Sequence, residues 1–563
     1  MEKIWLASYP EGVPHTIDPA IIPSLVDILE SSFERFADRP AFQCMGKVLS
    51  YRELDRHTRA VAAWLQSRGL GEGHRVAIMS PNVLSYPAVM LGVLRAGCTL
   101  VSVNPLYTPR ELEHQLNDSG AEAIFVLENF AHTVAAVHCP ALKTVVVSAM
   151  GDLLGFPKST VVNFVVRSVK KLVPAWSLPG HVRLDDVLRS GARLPFQPAR
   201  PRSEDIALLQ YTGGTTGLSK GAMLLHRNMV ANVLQVEAWV SPRFRPGEDL
   251  NIVCALPLYH IFALTFCCLI GLRLGACNLL IPNPRDMKSF IKELRGFRFH
   301  VIPGVNTLFN GLLNQPDFAG LDFSSLRLAF GGGMAVQSAV AERWLKVTGT
   351  PLIEGYGLSE TAPVATCAPP SRHAYSGTIG VPIPSTEVSI RDDEGNEMPL
   401  GEPGEICIRG PQVMSGYWKQ PAETARVMTP DGFFRSGDIG TMDAQGEIRI
   451  VDRKKDMILV SGFNVYPAEI EEVVTRHPGV LECVAVGIAS EHSGEAVKVV
   501  VVRRDPLLSE KDVRDWCHEN LTGYKRPAVV EFRADLPKSN VGKVLRRVLR
   551  DEAKQQAGGR AAA

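Results

Sequence analysis

The run Tyr211-Thr-Gly-Gly-Thr-Thr-Gly-Leu-Ser-Lys220-Gly221 gathers glycines, hydroxyls and one lysine directly after an apolar strand, Ala207–Tyr211. Glycine lets the backbone curl until several N–H groups face one point, the hydroxyls add donors, and Lys220 adds a charge. That set suits a polyphosphate. The P-loop of NTPases is excluded, because G-x-x-x-x-G-K-[ST] has no match in the chain. Gly217-Leu218-Ser219-Lys220-Gly221 does satisfy G-x-S-x-G, the nucleophile elbow of α/β-hydrolases. An elbow places its serine directly between strand and helix, whereas Thr212 to Leu218 separate Ser219 from the preceding strand. A serine hydrolase acting through Ser219 is therefore the lesser reading.

The surrounding elements are those that could hold such a loop. Ser50-Tyr51-Arg52-Glu53 is a capping box opening a helix, and Thr108-Pro109-Arg110-Glu111 opens another with Pro at its first position. Strands at Arg75–Met79, Thr99–Val103 and Ala123–Leu127 alternate with helices, which implies βαβ units and a largely parallel sheet. From about residue 376 the pattern turns to short, Gly-punctuated strands. After the charge run Asp452-Arg453-Lys454-Lys455-Asp456, helices at Pro467–Thr475 and Glu510–Asn520 flank strands at Val480–Val486 and Val497–Val502. The fold class expected is α/β: a large N-terminal domain (1–451) of mixed and parallel sheets with a β-rich part at about 376–451, and a small, mobile α+β C-terminal domain (452–563).

Sixty Lys and Arg against 59 Asp and Glu leave a net charge of +1, which argues against a nucleic-acid partner. The 11 cysteines include no C-x-x-C pair and read as free thiols of a reducing compartment. Met1 to Leu6 lacks the layout of an export signal, so a cytoplasmic protein is expected. Leu250 to Leu272 carries no Asp, Glu, Lys or Arg, but Asn251, Pro257, Tyr259, His260 and Thr265 fit a strand, a turn and a buried helix better than a membrane span. Between Val161 and Pro179, Phe164, Leu172 and Trp176 interleave with Arg167, Lys170 and Lys171. That stretch suits a membrane interface as well as it suits a solvated helix over the core.

The phosphate-type loop is followed in order by Leu256-Pro-Leu-Tyr-His260, Gly355-Tyr-Gly-Leu-Ser-Glu-Thr361, Ser436-Gly-Asp438, Asp452-Arg-Lys-Lys-Asp456 and Pro537-Lys-Ser-Asn-Val-Gly-Lys543. This series resembles the adenylate-forming (acyl-activating) enzyme superfamily over essentially the whole chain. Asp431 to Lys455, Trp5-Leu-x-x-Tyr-Pro10, Asn104 to Gly120 and Leu521-Thr-Gly-Tyr-Lys525 resemble its bacterial long-chain fatty acyl-CoA synthetases. Two departures, Phe433-Phe434-Arg435-Ser436 in the signature and Leu264 where some relatives carry a gating tryptophan, bear on acyl preference and leave the chemistry intact.

The resemblance implies ATP-dependent activation of a long-chain fatty acid through an acyl-adenylate, then transfer to coenzyme A with release of AMP, feeding fatty-acid uptake and β-oxidation. Medium-chain or aromatic acids are the alternative substrates within the class. By the same resemblance Thr212, Gly213, Gly214, Thr215, Thr216, Gly217 and Lys220 hold phosphates, and Glu360, with Thr212, binds Mg²⁺. Gly332, Gly333, Gly355, Tyr356 and Gly357 flank adenine, while Asp438 and Arg453 take the ribose. Lys543 is the catalytic cation of the first half-reaction, and His260 lines the acyl pocket or closes over the carboxylate; a satisfied core histidine is the competing reading. Leu264 and Val305 line the acyl pocket. Lys455 is the hinge that exchanges Lys543 for Ser461, Gly462 and Phe463 on the coenzyme A side. Peripheral contact with the inner face of the cytoplasmic membrane and a homodimeric assembly are left open.

Overall fold

The computed structural model describes residues 2–212, 219–245, 247–454, 456–461, 463–490, 493–539 and 542–561. Two large sheets carry most of the chain. The first has the order Gly416–Tyr417, Lys220–Leu225, Ile206–Thr212, Thr99–Val103, Arg75–Met79, Ala123–Leu127, Thr144–Ser148 and Val182–Arg183. It is parallel from Ile206–Thr212 outward and antiparallel at the Lys220–Leu225 edge. Every residue of Thr99–Val103 and of Ala123–Leu127 is buried, as parallel strands covered on both faces require. Both expected capping boxes form. Ser50 Oγ accepts from Glu53 N (3.2 Å), and Thr108 Oγ1 accepts from Glu111 N (3.4 Å).

The second sheet contains, among others, Asn251–Cys254, Val301–Gly304, Leu328–Gly332, Leu352–Gly357 and Val364–Cys367, the last antiparallel to its neighbour. The apolar stretch after Leu250 is this sheet's Asn251–Cys254 strand, a turn, and a helical run from Ile261 to Arg273 with wide turns at Leu264–Leu269. It lies within the core. Among the described residues, no helix is long and apolar enough to cross a membrane. Buried Asn82 staples the turn before His260: its amide donates to the carbonyls of Cys254 (3.0 Å) and Leu256 (2.8 Å), and its oxygen accepts from Leu258 N (2.8 Å).

A four-stranded antiparallel sheet, Glu387–Arg391, Gly404–Arg409, Phe434–Met442 and Ile448–Arg453, follows. Beyond it, Val480–Ser490 and Gly494–Arg503 form the centre of a last sheet, covered by helices Pro467–Thr475, Glu510–Asn520 and Arg546–Ala561. Its hydrophobic clusters, around Val499 on one face and Val500 on the other, contain no residue of the earlier sheets. The Val161–Pro179 stretch holds helix Lys158–Phe164 and a wide turn Val165–Val169. Only Val166 of its large side chains is fully buried there; Phe156 (89% exposed), Phe164 (61%) and Val169 (63%) point outward beside exposed Lys158, Lys170 and Lys171.

Candidate active site

Thr212 and Lys220 are register partners at the end of an antiparallel pair, so the phosphate-type loop is the connection of a β-hairpin. Gly213, Gly214, Thr215, Thr216 and Gly217 lie outside the described residues. Ser219 is followed by a strand rather than a helix, and His114 meets its carbonyl oxygen (2.9 Å), not its hydroxyl. Neither relation belongs to a nucleophile elbow. The ammonium of Lys220 pairs with Glu423 and sits 5.4 Å from the centre of the Tyr417 ring.

Glu360 occupies the short turn Ser359–Thr361 and is buried. One of its oxygens accepts from Tyr417 O–H (2.8 Å), and burial pushes its carboxyl upward. A buried carboxylate with one neutral donor gains from a nearby cation. Among the described residues no group of three or more His, Cys, Asp or Glu side chains is placed to hold a metal, so any cation here would draw its other ligands from elsewhere.

The residues that the resemblance assigns to adenine and ribose come together from two sheets. Gly332 and Gly355 pair across neighbouring parallel strands. A Cβ on Gly357 would stand 1.8 Å from the Pro363 carbonyl oxygen, so glycine there is dictated by backbone contact. Tyr356 reaches out of its strand to donate to Asp438 Oδ2 at 2.7 Å, while Arg453, the cross-strand partner of Asp438, approaches Oδ1 at 3.2 Å. Asp438 is thereby held on both oxygens at 4% exposure, aimed by a phenol and a guanidinium. The sequence offers the Tyr356 ring as a stacking face; its hydroxyl has the second task of orienting Asp438.

Lys543 enters from the C-terminal module. The Gly542 carbonyl accepts from Thr307 Oγ1 (3.2 Å), and a Cβ on Gly333 would lie 3.5 Å from Lys543 Cε. Gly333 has φ of +77°, a conformation glycine adopts freely, and the absence of a side chain leaves room for the lysine. Val305 lines the same spot, touching the positions of both Gly333 and Gly542. Burial, reinforced by Arg453, lowers the Lys543 ammonium to about 8, against the opposing pull of Asp438 and Glu360. His260 is lowered to about 3 by burial and then by Lys543, so it is neutral at working pH. Its Nδ1 accepts from Phe262 N (3.3 Å) and caps the following helix. A cavity of about 320 Å³ opens here, lined by Ser102, Gln210, Tyr259, His260 and Ser539 among others. Leu264 is fully buried one turn beyond His260.

Also in the C-terminal module, Ser461 has φ of +50° and donates its N–H to the Ser493 carbonyl (2.8 Å). Phe463 is 56% exposed and stacked on Tyr524, 4.7 Å between centroids. Gly462 and Lys455 lie outside the described residues. The acids of the charge run, Asp452 and Asp456, are buried rather than solvated. Asp452 accepts from Ala468 N (2.9 Å), and Asp456 pairs with Arg550 (3.0 Å) and Arg546 (3.7 Å), both acids being buried. Distant arginines of the last helix make that burial affordable, a relation no local pattern reveals.

A family model described as AMP-binding enzyme matches residues 29–418, and one described as AMP-binding enzyme C-terminal domain matches 469–543. The long-chain-fatty-acid–CoA ligase of Escherichia coli O6:H1 (strain CFT073) is 56% identical over 556 residues, covering 98% of this chain and 99% of its own. That of Haemophilus influenzae is 50% identical over the same length and coverage. The solved structure of an ATP-bound RpMatB–BxBclM chimera superposes with a TM-score of 0.82 at 29% identity, covering 94% of this chain and 99% of its own. With the family model covering most of the chain and relatives at 50–56% identity over nearly its whole length, this chain belongs to the AMP-binding, adenylate-forming enzyme family.

Proposed function

We propose that this enzyme is a long-chain-fatty-acid–CoA ligase: it joins a fatty acid to coenzyme A at the expense of ATP, through an acyl-adenylate. The observation that carries the reading is Lys543, delivered by the C-terminal module to Gly333 within the field of Asp438 and Glu360. A fatty carboxylate oxygen attacks the α-phosphorus, the bond to pyrophosphate breaks, and acyl-AMP forms. The coenzyme A sulfur then attacks the acyl carbon, its proton goes to solvent, and AMP leaves with the bridging oxygen. In the first step two anions meet, and a cation fixed there beforehand lowers the barrier. Neutral His260, beside Lys543, adds no charge of its own; it fixes the wall against which the carboxylate rests. Val305 and Leu264 extend that wall toward the acyl chain. The identity to curated long-chain enzymes favours long acids over aromatic or medium-chain ones.

Glu360 fits Mg²⁺, which would supply charge neutralisation at the phosphates, with Thr212, at the hairpin's end, as the second ligand the resemblance offers. We place the domain boundary at the 451/452 junction and the hinge at Lys455. The separate hydrophobic clusters after Ile458 support this, and so does the exposure of Phe463 while Lys543 is docked. Turning about that point would withdraw Lys543 and bring Ser461, Gly462 and Phe463 to the site. The outward-facing Phe156, Phe164 and Val169 with their lysines support peripheral docking on an anionic lipid surface.

The test is pyrophosphate release over carboxylic acids of graded length, with and without coenzyme A. Release that peaks with long chains supports the reading. A peak with aromatic or short acids would move the enzyme elsewhere in its family, and release with none would remove it from ligase chemistry.

A further inference from the structure

Lys220, given to phosphate in the reading above, already has an anion. Its ammonium contacts the Glu423 carboxylate and lies over the Tyr417 ring, whose hydroxyl donates to Glu360. Glu423 stands on helix Pro421–Val427, and the next residue on that helix, Thr424, accepts from Tyr417 N (2.8 Å). One short helix therefore fixes both the partner of the loop lysine and the phenol that aims Glu360. Both Lys220 and Glu423 are largely shielded, with side chains 18% and 25% exposed. The Glu423 carboxyl is held below the usual range, foremost by its bond to Lys220. Its other described cation, Arg426, is exposed on the same helix.

We propose that Glu423 is a positioning residue of the nucleotide site, its carboxylate competing with nucleotide phosphate for the Lys220 ammonium. A phosphate oxygen can replace the carboxylate at Lys220 without leaving the ammonium unpaired at any stage, so ATP loads and pyrophosphate departs by exchange of counter-ions. The pair sets how tightly polyphosphate is held: Lys220 attracts it, and Glu423 keeps pyrophosphate from remaining after adenylation. This rests on the ligase reading only in assigning Lys220 to phosphate.

Glu423→Gln preserves the shape and removes the charge. Titrated with magnesium pyrophosphate in a calorimeter, the variant should bind about 2- to 5-fold more tightly than the parent, the span that a partly exposed ion pair carries. KM for ATP should fall by a similar factor, and pyrophosphate should become a stronger product inhibitor. In a Lys220→Met background the Glu423→Gln change should alter none of these. A structural role alone would leave affinity and its dependence on Lys220 untouched. Unchanged or weaker pyrophosphate binding in a folded Glu423→Gln protein, or a gain that persists without Lys220, overturns the proposal and spares the ligase reading. Failure of the parent to bind pyrophosphate at all overturns both.

Discussion

Lys543→Ala is the perturbation whose effect the geometry defines best. The side chain passes beside Gly333 with its ammonium 4.0 Å from where a Cβ would be, while Lys538, in the lining of the adjoining cavity, is paired with Glu482 and Asp535. Arg453, whose charge is felt at Lys543, is committed to Asp438. Removing one fixed charge-stabilising group from a water-poor site costs about 10²- to 10³-fold in rate. The loss should fall on adenylation, measured as acid-dependent exchange of labelled pyrophosphate into ATP. Thioester formation from supplied acyl-AMP and coenzyme A should keep most of its rate, since the proposed rotation would withdraw Lys543 from that step. The same lysine predicts a pH limb. With its ammonium lowered to about 8, it is about 90% charged at pH 7 and about 10% charged at pH 9. The kcat/KM for adenylation should therefore decline on the alkaline side of pH 8, roughly tenfold per unit at the limit, and the limb should vanish in Lys543→Ala. Equal loss in both half-reactions, or a flat profile through pH 9, would refute the assignment.

Tyr356→Phe removes the hydroxyl that holds Asp438 Oδ2 at 2.7 Å; a hydrogen bond to a charged group is worth about 1.5–3 kcal/mol, so KM for ATP should rise about 10- to 100-fold in initial-rate assays. Gly357→Ala drives a methyl into the Pro363 carbonyl and should destabilise by about 1–3 kcal/mol or more, read as a lower melting temperature. Phe156→Ser with Phe164→Ser should reduce sedimentation with anionic vesicles without altering adenylation of a soluble acid, since both side chains face solvent.

The parts legible in the sequence were those written in local patterns. The two capping boxes and the Arg75–Met79, Thr99–Val103 and Ala123–Leu127 strands follow from periodicity and end signals, and they form with those bounds. The stretch from Thr212 to Lys220 was legible as a candidate phosphate site because glycine, threonine and lysine crowd together in the sequence. Its form as a hairpin was not, because the returning strand Lys220–Leu225 carries no turn signal distinct from the loop itself. Tyr417 and Glu423 escaped notice because they lie far along the chain from Lys220 and Glu360 and sit in no chemical motif. Asn82 is a single amide whose three bonds exist only once the second sheet is built. The burial of the acids in the charge run was not legible for a similar reason: it depends on Arg546 and Arg550, supplied from the final helix.

The central claim is that a carboxylate is adenylated where the Lys220 hairpin, Asp438 and Lys543 converge. Exchange of labelled pyrophosphate into ATP, run without coenzyme A and with palmitate as the acid, tests it most directly. Exchange should require the fatty acid and disappear in Lys543→Ala. Exchange absent from the parent enzyme, or undiminished when Lys543 is removed, would contradict it.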